Sequence, residues 1–180
     1  MSDSTWTSTS MPYLTSQEGG QGDVWAAEAA AKGGKGSQRI VYAGEVEATE
    51  EVAGLLGVAA GEAVVVRRRV IELDGLACEL TDTYYPVAIA RGTRLAGRGK
   101  IPGGAVALLA ELGYRGVRVR EDVTAGMPSP EERDVLRLGS GEPVLRISRV
   151  TFDDGGRAVQ ADLIVMPGHR QRLRYEVRVG

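Results

Sequence analysis

The sequence predicts an α+β domain built on an antiparallel β-sheet with flanking helices. Two observations carry that reading. The first is an internal repeat, in which TEEVAGLLGVAAGEAVVVRRRVIELDG–LACELTDTYYP (49–86) aligns with SPEERDVLRLGSGEPVLRISRVTFDDGGRAVQADLIVMP (129–167). Both stretches read helix, Gly-Glu turn, strand, Asp-Gly turn, strand, proline. Gly61-Glu62 matches Gly141-Glu142 and Arg69 matches Arg149; after a one-residue gap Glu79 matches Gln160, Tyr85 matches Met166 and Pro86 matches Pro167. These two helix–hairpin units suggest an antiparallel sheet with pseudo-twofold character, and the second observation is that the chain reads as runs of strands with interspersed helices on one side.

The elements follow in order. Residues 1–38 are rich in Ser, Thr, Gly, Gln and Ala, and read as a flexible tail or linker. Within them DVWAAEAAAKGG allows a helical turn or two ended by Gly33-Gly34, and Trp6, Tyr13 and Trp25 are candidates to dock locally. Folded structure is expected from 39 to 180, beginning with RIVYAGEVEA as a strand. Thr49 and Ser129 stand at helix N-caps, where a side-chain oxygen meets orphan N–H groups. Ser129-Pro130-Glu131-Glu132 is a capping box with proline at the first helical position. Between the two units lie a helix, GGAVALLAELG (103–113), and a strand, GVRVREDVTAG (116–126); RLRYEVRV (172–179) is a last strand.

Composition excludes several classes of function. Cys78 is the only cysteine, so no internal disulfide forms and a reducing cytoplasm is the expected location. His169 is the only histidine, which leaves almost no material for zinc sites or His-based triads, and no metal or cofactor is expected. The net charge of −2 gives no overall pull toward nucleic acid. No run of apolar residues is long enough to span a membrane, and the N-terminus has neither the basic start nor the apolar centre of a secretory signal.

The stretch VVVRRRVIELDG (64–75) places three arginines in an otherwise apolar strand. Alternation puts Arg67 and Arg69 on one face and Arg68 on the other. A three-residue loop Leu73-Asp74-Gly75 would set Arg69 opposite Glu79 and Arg67 opposite Thr81, collecting Val64, Val66, Val70, Cys78, Leu80 and Tyr84 on an apolar face. A four-residue loop Asp153–Gly156 would set Arg149 opposite Gln160 in the same way. Two cation-plus-acceptor pairs on equivalent polar faces make an anion clamp, because guanidinium grips carboxylate or phosphate bidentately. Glu121 is a third candidate, and Tyr85 falls on the same face. The plainer alternative is a cross-strand ion pair on a solvated sheet, worth about 0.2–1 kcal/mol.

These strings, with KIPGGAVALLAELGYR, EDVTA, PEERDVLRL, GEPVLRISRV and QRLRYEVR, resemble the UTRA effector-binding domain of GntR-type transcription regulators of the HutC subfamily. The resemblance covers about residues 39–180. It implies a chorismate-lyase-like fold with a small-molecule pocket, a dimer, and a sensor rather than an enzyme. Carried over by residue, Arg67 and Arg69 would hold the anionic end of an effector, and Glu79 would join them. Three departures stand out: a phosphate-gripping serine matches Gly104, a pocket glutamate matches Gln160 and a pocket tyrosine matches Met166. They argue against a phosphosugar, although N–H groups at Gly103–Ala105 could still take an anion. Family regulators carry a winged helix-turn-helix ahead of this domain, and residues 1–38 are too few and too poor in Lys and Arg to form one, so no direct DNA binding by this chain is expected. The expected role is sensing a small anionic metabolite in transcription control, as a homodimer or with a full-length regulator. The rivals are a lyase using Glu79 or Glu121 as acid or base, and a ligand-free module that titrates full-length regulators.

Overall fold

The structure is a computed structural model that describes residues 6–8 and 24–176. In chain order its elements are β1 (Trp6–Ser8), α1 (Val24–Ala31), β2 (Gly36–Glu47), α2 (Glu50–Leu56), β3 (Ala63–Leu73), β4 (Leu76–Pro86), α3 (Val87–Ala90), a 3₁₀ turn (Arg94–Ala96), α4 (Gly104–Glu111), β5 (Arg118–Gly126), α5 (Pro130–Leu136), β6 (Val144–Phe152), β7 (Ala158–Pro167) and β8 (Gln171–Leu173). Six strands form an antiparallel sheet in the order β2-β3-β4-β7-β6-β5, as the fold class anticipates.

The repeat is larger than two helix–hairpins. Each unit is strand, helix, strand, strand: β2-α2-β3-β4 and β5-α5-β6-β7. The units meet along β4 and β7, where Thr83 pairs with Asp162 and Thr81 with Ile164. Under the sequence repeat these two rungs are images of each other, so a pseudo-twofold axis passes through the Asp82–Leu163 rung between them. Each helix crosses to the other unit, α2 packing on β7 and α5 on β4.

Local sequence explains both helices. Thr49 accepts from the Val52 N–H at the start of α2, and the Ser129 box closes in both directions at α5, with Pro130 in the first turn. Gly57 ends α2 in the left-handed region at φ 71°. On their shared face of the sheet, Val52, Ala53 and Leu56 pack with Val64, Val66, Tyr84 and Val150, while Leu136 and Leu138 pack with Val144.

The opposite face carries an apolar patch at each end. Over one end, α3, the 3₁₀ turn and α4 bring Ile89, Leu95, Leu108 and Leu109 onto Val65, Tyr85 and Val159. At the other end β1 pairs in parallel with β8, α1 packs against β2, and Trp6, Trp25, Ile71, Cys78 and Leu73 cluster. Nearby, Ile147, Ile164 and Met166 gather with Leu173. A polar strip crosses the sheet between these patches.

Four expectations change. Within 1–38, residues 24–31 form the helix that DVWAAEAAAKGG allows and Trp6 and Trp25 dock locally as expected, while residues 6–8 are a paired strand rather than tail. The Trp6 and Trp25 rings meet edge to face at 5.0 Å, and the Trp25 indole N–H donates to the Glu72 carbonyl at 2.9 Å. Tyr13 lies outside the described residues. The first sheet strand begins at Gly36, ahead of Arg39. The last strand is Gln171–Leu173; it pairs with β1 and leaves β2 and β5 as the edges of the main sheet, and residues 177–179 lie outside the described residues.

The fourth change concerns register. Leu73 pairs with Leu76, so the turn is the two residues Asp74-Gly75, both left-handed at φ 53° and 79°. A bulge at Cys78 follows, because Glu72 pairs with Ala77 and Ile71 with Glu79. Turn and bulge together restore the expected faces but shift the pairing, so Arg69 opposes Thr81 and Arg67 opposes Thr83. The second hairpin has a matching bulge at Val159: Phe152 pairs with Ala158, Thr151 with Gln160, and Arg149 with Asp162. Both units shift alike, so the repeat now matches an Arg69–Thr81 rung with an Arg149–Asp162 rung.

Candidate functional site

The polar strip runs across five strands, β3 to β7, with Gln38 of β2 at its edge. Arg69 on β3 donates to the Thr83 hydroxyl at 3.0 Å, and its other terminal nitrogen reaches Gln38 Oε1 at 3.5 Å. Thr83 donates onward to Asp162 at 2.7 Å, and Asp162 also accepts from the Gln160 amide at 2.9 Å. Asp162 is 3% exposed, so these bonds supply the partners that a buried carboxylate requires. Glu79 accepts from the Thr81 hydroxyl. Arg149 on β6 forms an ion pair with Glu121 on the outer strand β5, and each side chain is 11% exposed.

The three arginines differ in what holds them. Arg149 has Glu121 in contact and Asp162 across the rung. Burial opposes its charge, but Asp162, Glu121 and Glu79 outweigh it and leave the guanidinium pKa above its ordinary value. Arg67 is buried and donates to the carbonyls of Arg94, Gly97 and Gly99, fixing the segment after the 3₁₀ turn against the sheet. Desolvation lowers its pKa. Arg69 has no carboxylate within salt-bridge distance among the described residues, and its Nε is buried without a hydrogen-bond partner.

Glu79 is the strained acid of the strip. Burial pushes its pKa up; the Thr81 hydrogen bond and the charges of Arg69 and Arg149 pull it down, and Asp162 adds to the rise. No ion pair to Glu79 forms among the described residues.

Of the residues singled out in the sequence, Arg69, Glu79, Arg149, Glu121 and Gln160 come together on this strip. Tyr85 and Met166 share its face but sit in the flanking apolar clusters, at 1% and 2% exposure. Gly104 opens α4, and its N–H is taken by the Ile101 carbonyl at 2.9 Å. Sequence reasoning missed Thr83 and Asp162, which link the two units, and treated Thr81 only as a partner for Arg67. The signal was present: Thr81 and Thr83 alternate with Glu79 along ELTDTYY, and Asp162 is the one acid in the apolar run ADLIVM. A surface depression of about 450 Å³, lined by Lys35, Ser37, Asp74 and Gly75, lies outside the strip at the β3–β4 turn.

Comparison with known proteins gives a consistent result. The UTRA domain model matches residues 31–172. An uncharacterised HTH-type transcriptional regulator of Streptomyces coelicolor is 30% identical over 141 residues, covering 74% of this chain and 51% of that protein. The HTH-type transcriptional repressor PhnF of Mycolicibacterium smegmatis is 28% identical over 147 residues, covering 79% of this chain and 58% of PhnF. The chain thus spans about half the length of the curated relatives it matches. The crystal structure of the PhnF effector domain superposes with a TM-score of 0.72 at 22% identity, covering 86% of this chain and 94% of that one, which shows a common fold. A ligand-binding domain assigned to a GntR-family regulator of Bordetella bronchiseptica gives a TM-score of 0.68 at 26% identity, covering 81% of this chain and 92% of that one. Among the described residues no helix is long and apolar enough to cross a membrane. With its sheet order, its doubled unit and its match across most of the chain, this protein belongs to the UTRA domain family, the regulatory, non-enzymatic effector domains of GntR-type transcription regulators.

Proposed function

We propose that this effector domain senses a small anionic metabolite on the polar strip, with Arg69 as the main contact for the anion. One observation carries the reading: among the described residues Arg69 has no carboxylate partner, and its Nε is buried and unsatisfied. A buried donor without an acceptor is costly, and a ligand oxygen would relieve that cost. The neighbouring Thr81, Thr83 and Gln160 supply neutral hydrogen-bonding groups around it. Arg67 acts indirectly by holding the 94–99 segment beside the strip. The sensing unit is 39–180, of the HutC kind and cytoplasmic, and 1–38 is a linker ahead of it whose residues 6–8 and 24–31 pack on it. Gly104 and Glu121, with Tyr85 and Met166, frame the strip.

Binding would act on transcription through a population shift between arrangements of two copies or of a copy and a full-length regulator. The free edge of β5 suits a second copy. Val123 is 43% exposed there, and an antiparallel pairing centred on Glu121 sets Val119 beside Val123 and Arg120 beside Asp122 of the second copy. Lysine at both 119 and 123 should then give a monomer in sedimentation. Unchanged association would place the contact elsewhere.

The test of sensing is thermal shift against carboxylates, amino acids, nucleotides and phosphates. Ligand at 100 times its Kd should stabilise by roughly 2.7 kcal/mol. A hit lost in Arg69→Ala supports the proposal. If the response persists in that variant, Arg69 is not the anion's contact. If nothing in the panel stabilises the chain while it associates with a full-length regulator, it acts as a ligand-free partner.

A further inference from the structure

The strip carries three arginines and three acids, and they do not cancel evenly. Arg67 is held by three carbonyls. Arg149 answers Glu121 by contact and Asp162 across the rung. One cation and one acid are left over, Arg69 and Glu79, both beside Thr81: Arg69 opposes it on β3, and Glu79 precedes it by one same-face position on β4. They are close enough for the Arg69 charge to act on Glu79, yet they form no ion pair. The two-residue turn and the bulge at Cys78 together put them on one face but two residues out of register. Without the turn-plus-bulge shift Arg69 and Glu79 would sit on one rung as a cross-strand pair; with it, Glu79 faces Ile71 and turns to Thr81, while Arg69 turns to Thr83.

Resting on the reading of the strip as the effector site, we infer that the ligand is zwitterionic: a carboxylate or comparable anion on Arg69, and an ammonium or protonated amine on Glu79. A purely anionic ligand on Arg69 would bring a second negative group beside Glu79 with no amine to answer it, and such a repulsive element is a common source of specificity. A zwitterion supplies both missing countercharges at once, each through a charge-assisted hydrogen bond.

The test uses matched probes on the full chain: β-alanine and propionate, 4-aminobutyrate and butyrate, aspartate and succinate, glutamate and glutarate, with inorganic phosphate as a bare anion. Affinity is read by calorimetry and thermal shift in wild type, Arg69→Ala and Glu79→Gln. The expected result is a pair whose amine-bearing member binds at least tenfold more tightly than its amine-free partner. In Glu79→Gln that preference should fall to near parity while binding still depends on Arg69. Glu79→Gln keeps the side-chain shape, and a retained thermal transition shows that it folds; the amine preference in wild type reads the proposal independently of that variant. If amine-free acids or phosphate bind as well as the amines, or if Glu79→Gln keeps the preference, the zwitterion is overturned and the anion sensor stands. If no probe stabilises the chain through Arg69, both readings fall.

Discussion

Arg149 and Arg69 occupy equivalent rungs of the two units, yet Arg149 meets a glutamate from its outer strand and Arg69 meets an isoleucine. β5 offers Glu121 at that rung, whereas β2 offers Ile40, and the polar group that β2 brings to Arg69 is Gln38 at 3.5 Å. One half of the sheet neutralises its strand arginine internally; the other leaves it open. A doubled scaffold allows such a division, because the two rungs share backbone geometry and differ in the flanking side chains, Ile40 and Thr81 in one against Glu121 and Asp162 in the other. The closed rung serves stability, and the open one is available for recognition.

The largest effect should come from breaking the closed rung. Arg149→Met leaves Glu121 buried without its partner and should lower unfolding free energy by about 3–5 kcal/mol in urea denaturation. A loss below about 1 kcal/mol would mean the pair is solvated and the contrast overstated. Copying the closed rung into the open one sharpens the comparison. Ile40→Glu should hand Arg69 an internal carboxylate and weaken anion binding by tenfold or more, equivalent to about 1.4 kcal/mol, while the fold persists. Undiminished binding would show that the outer strand does not decide which rung is open.

Smaller effects test whether the units are also mechanically alike. Thr49→Ala and Ser129→Ala should each cost about 1 kcal/mol, the second somewhat more because it also opens the Glu132 arm of the box. Equal costs would mean that arm contributes nothing. The smallest concerns Glu79 and pH. Its folded pKa is raised by burial, so the fold favours the neutral acid; that contribution is complete below the unfolded carboxylate pKa and is lost as pH rises through the folded value. Glu79→Gln should therefore raise the ligand-free melting temperature at pH 8 and gain little at pH 4. A gain independent of pH would place its origin outside Glu79 ionisation.

What the sequence made legible follows the same physics. Alternation assigned Arg67, Arg69, Glu79 and Tyr85 to one face correctly, because face depends only on parity and the turn and bulge restored it. Register depends on the bulges at Cys78 and Val159, which are ordinary strand residues with no mark in the sequence, so the rung partners came out wrong by the same step in both units. The caps at Thr49 and Ser129 were readable because their partners lie within one turn. The packing of Trp6 and Trp25 was only half readable: it rests on β8 and Glu72, far along the chain. Asp162 escaped notice because its importance comes from Thr83 and Arg149 on neighbouring strands.

The central claim is that Arg69 is kept for a ligand and Arg149 for the fold. Arg69→Gln tests it directly, with urea denaturation and anion-dependent thermal stabilisation measured on one preparation. The account predicts an unfolding free energy within about 1 kcal/mol of wild type, since no ion pair is lost, together with loss of the ligand response. A loss of several kcal/mol, or a ligand response that survives the change, would contradict it.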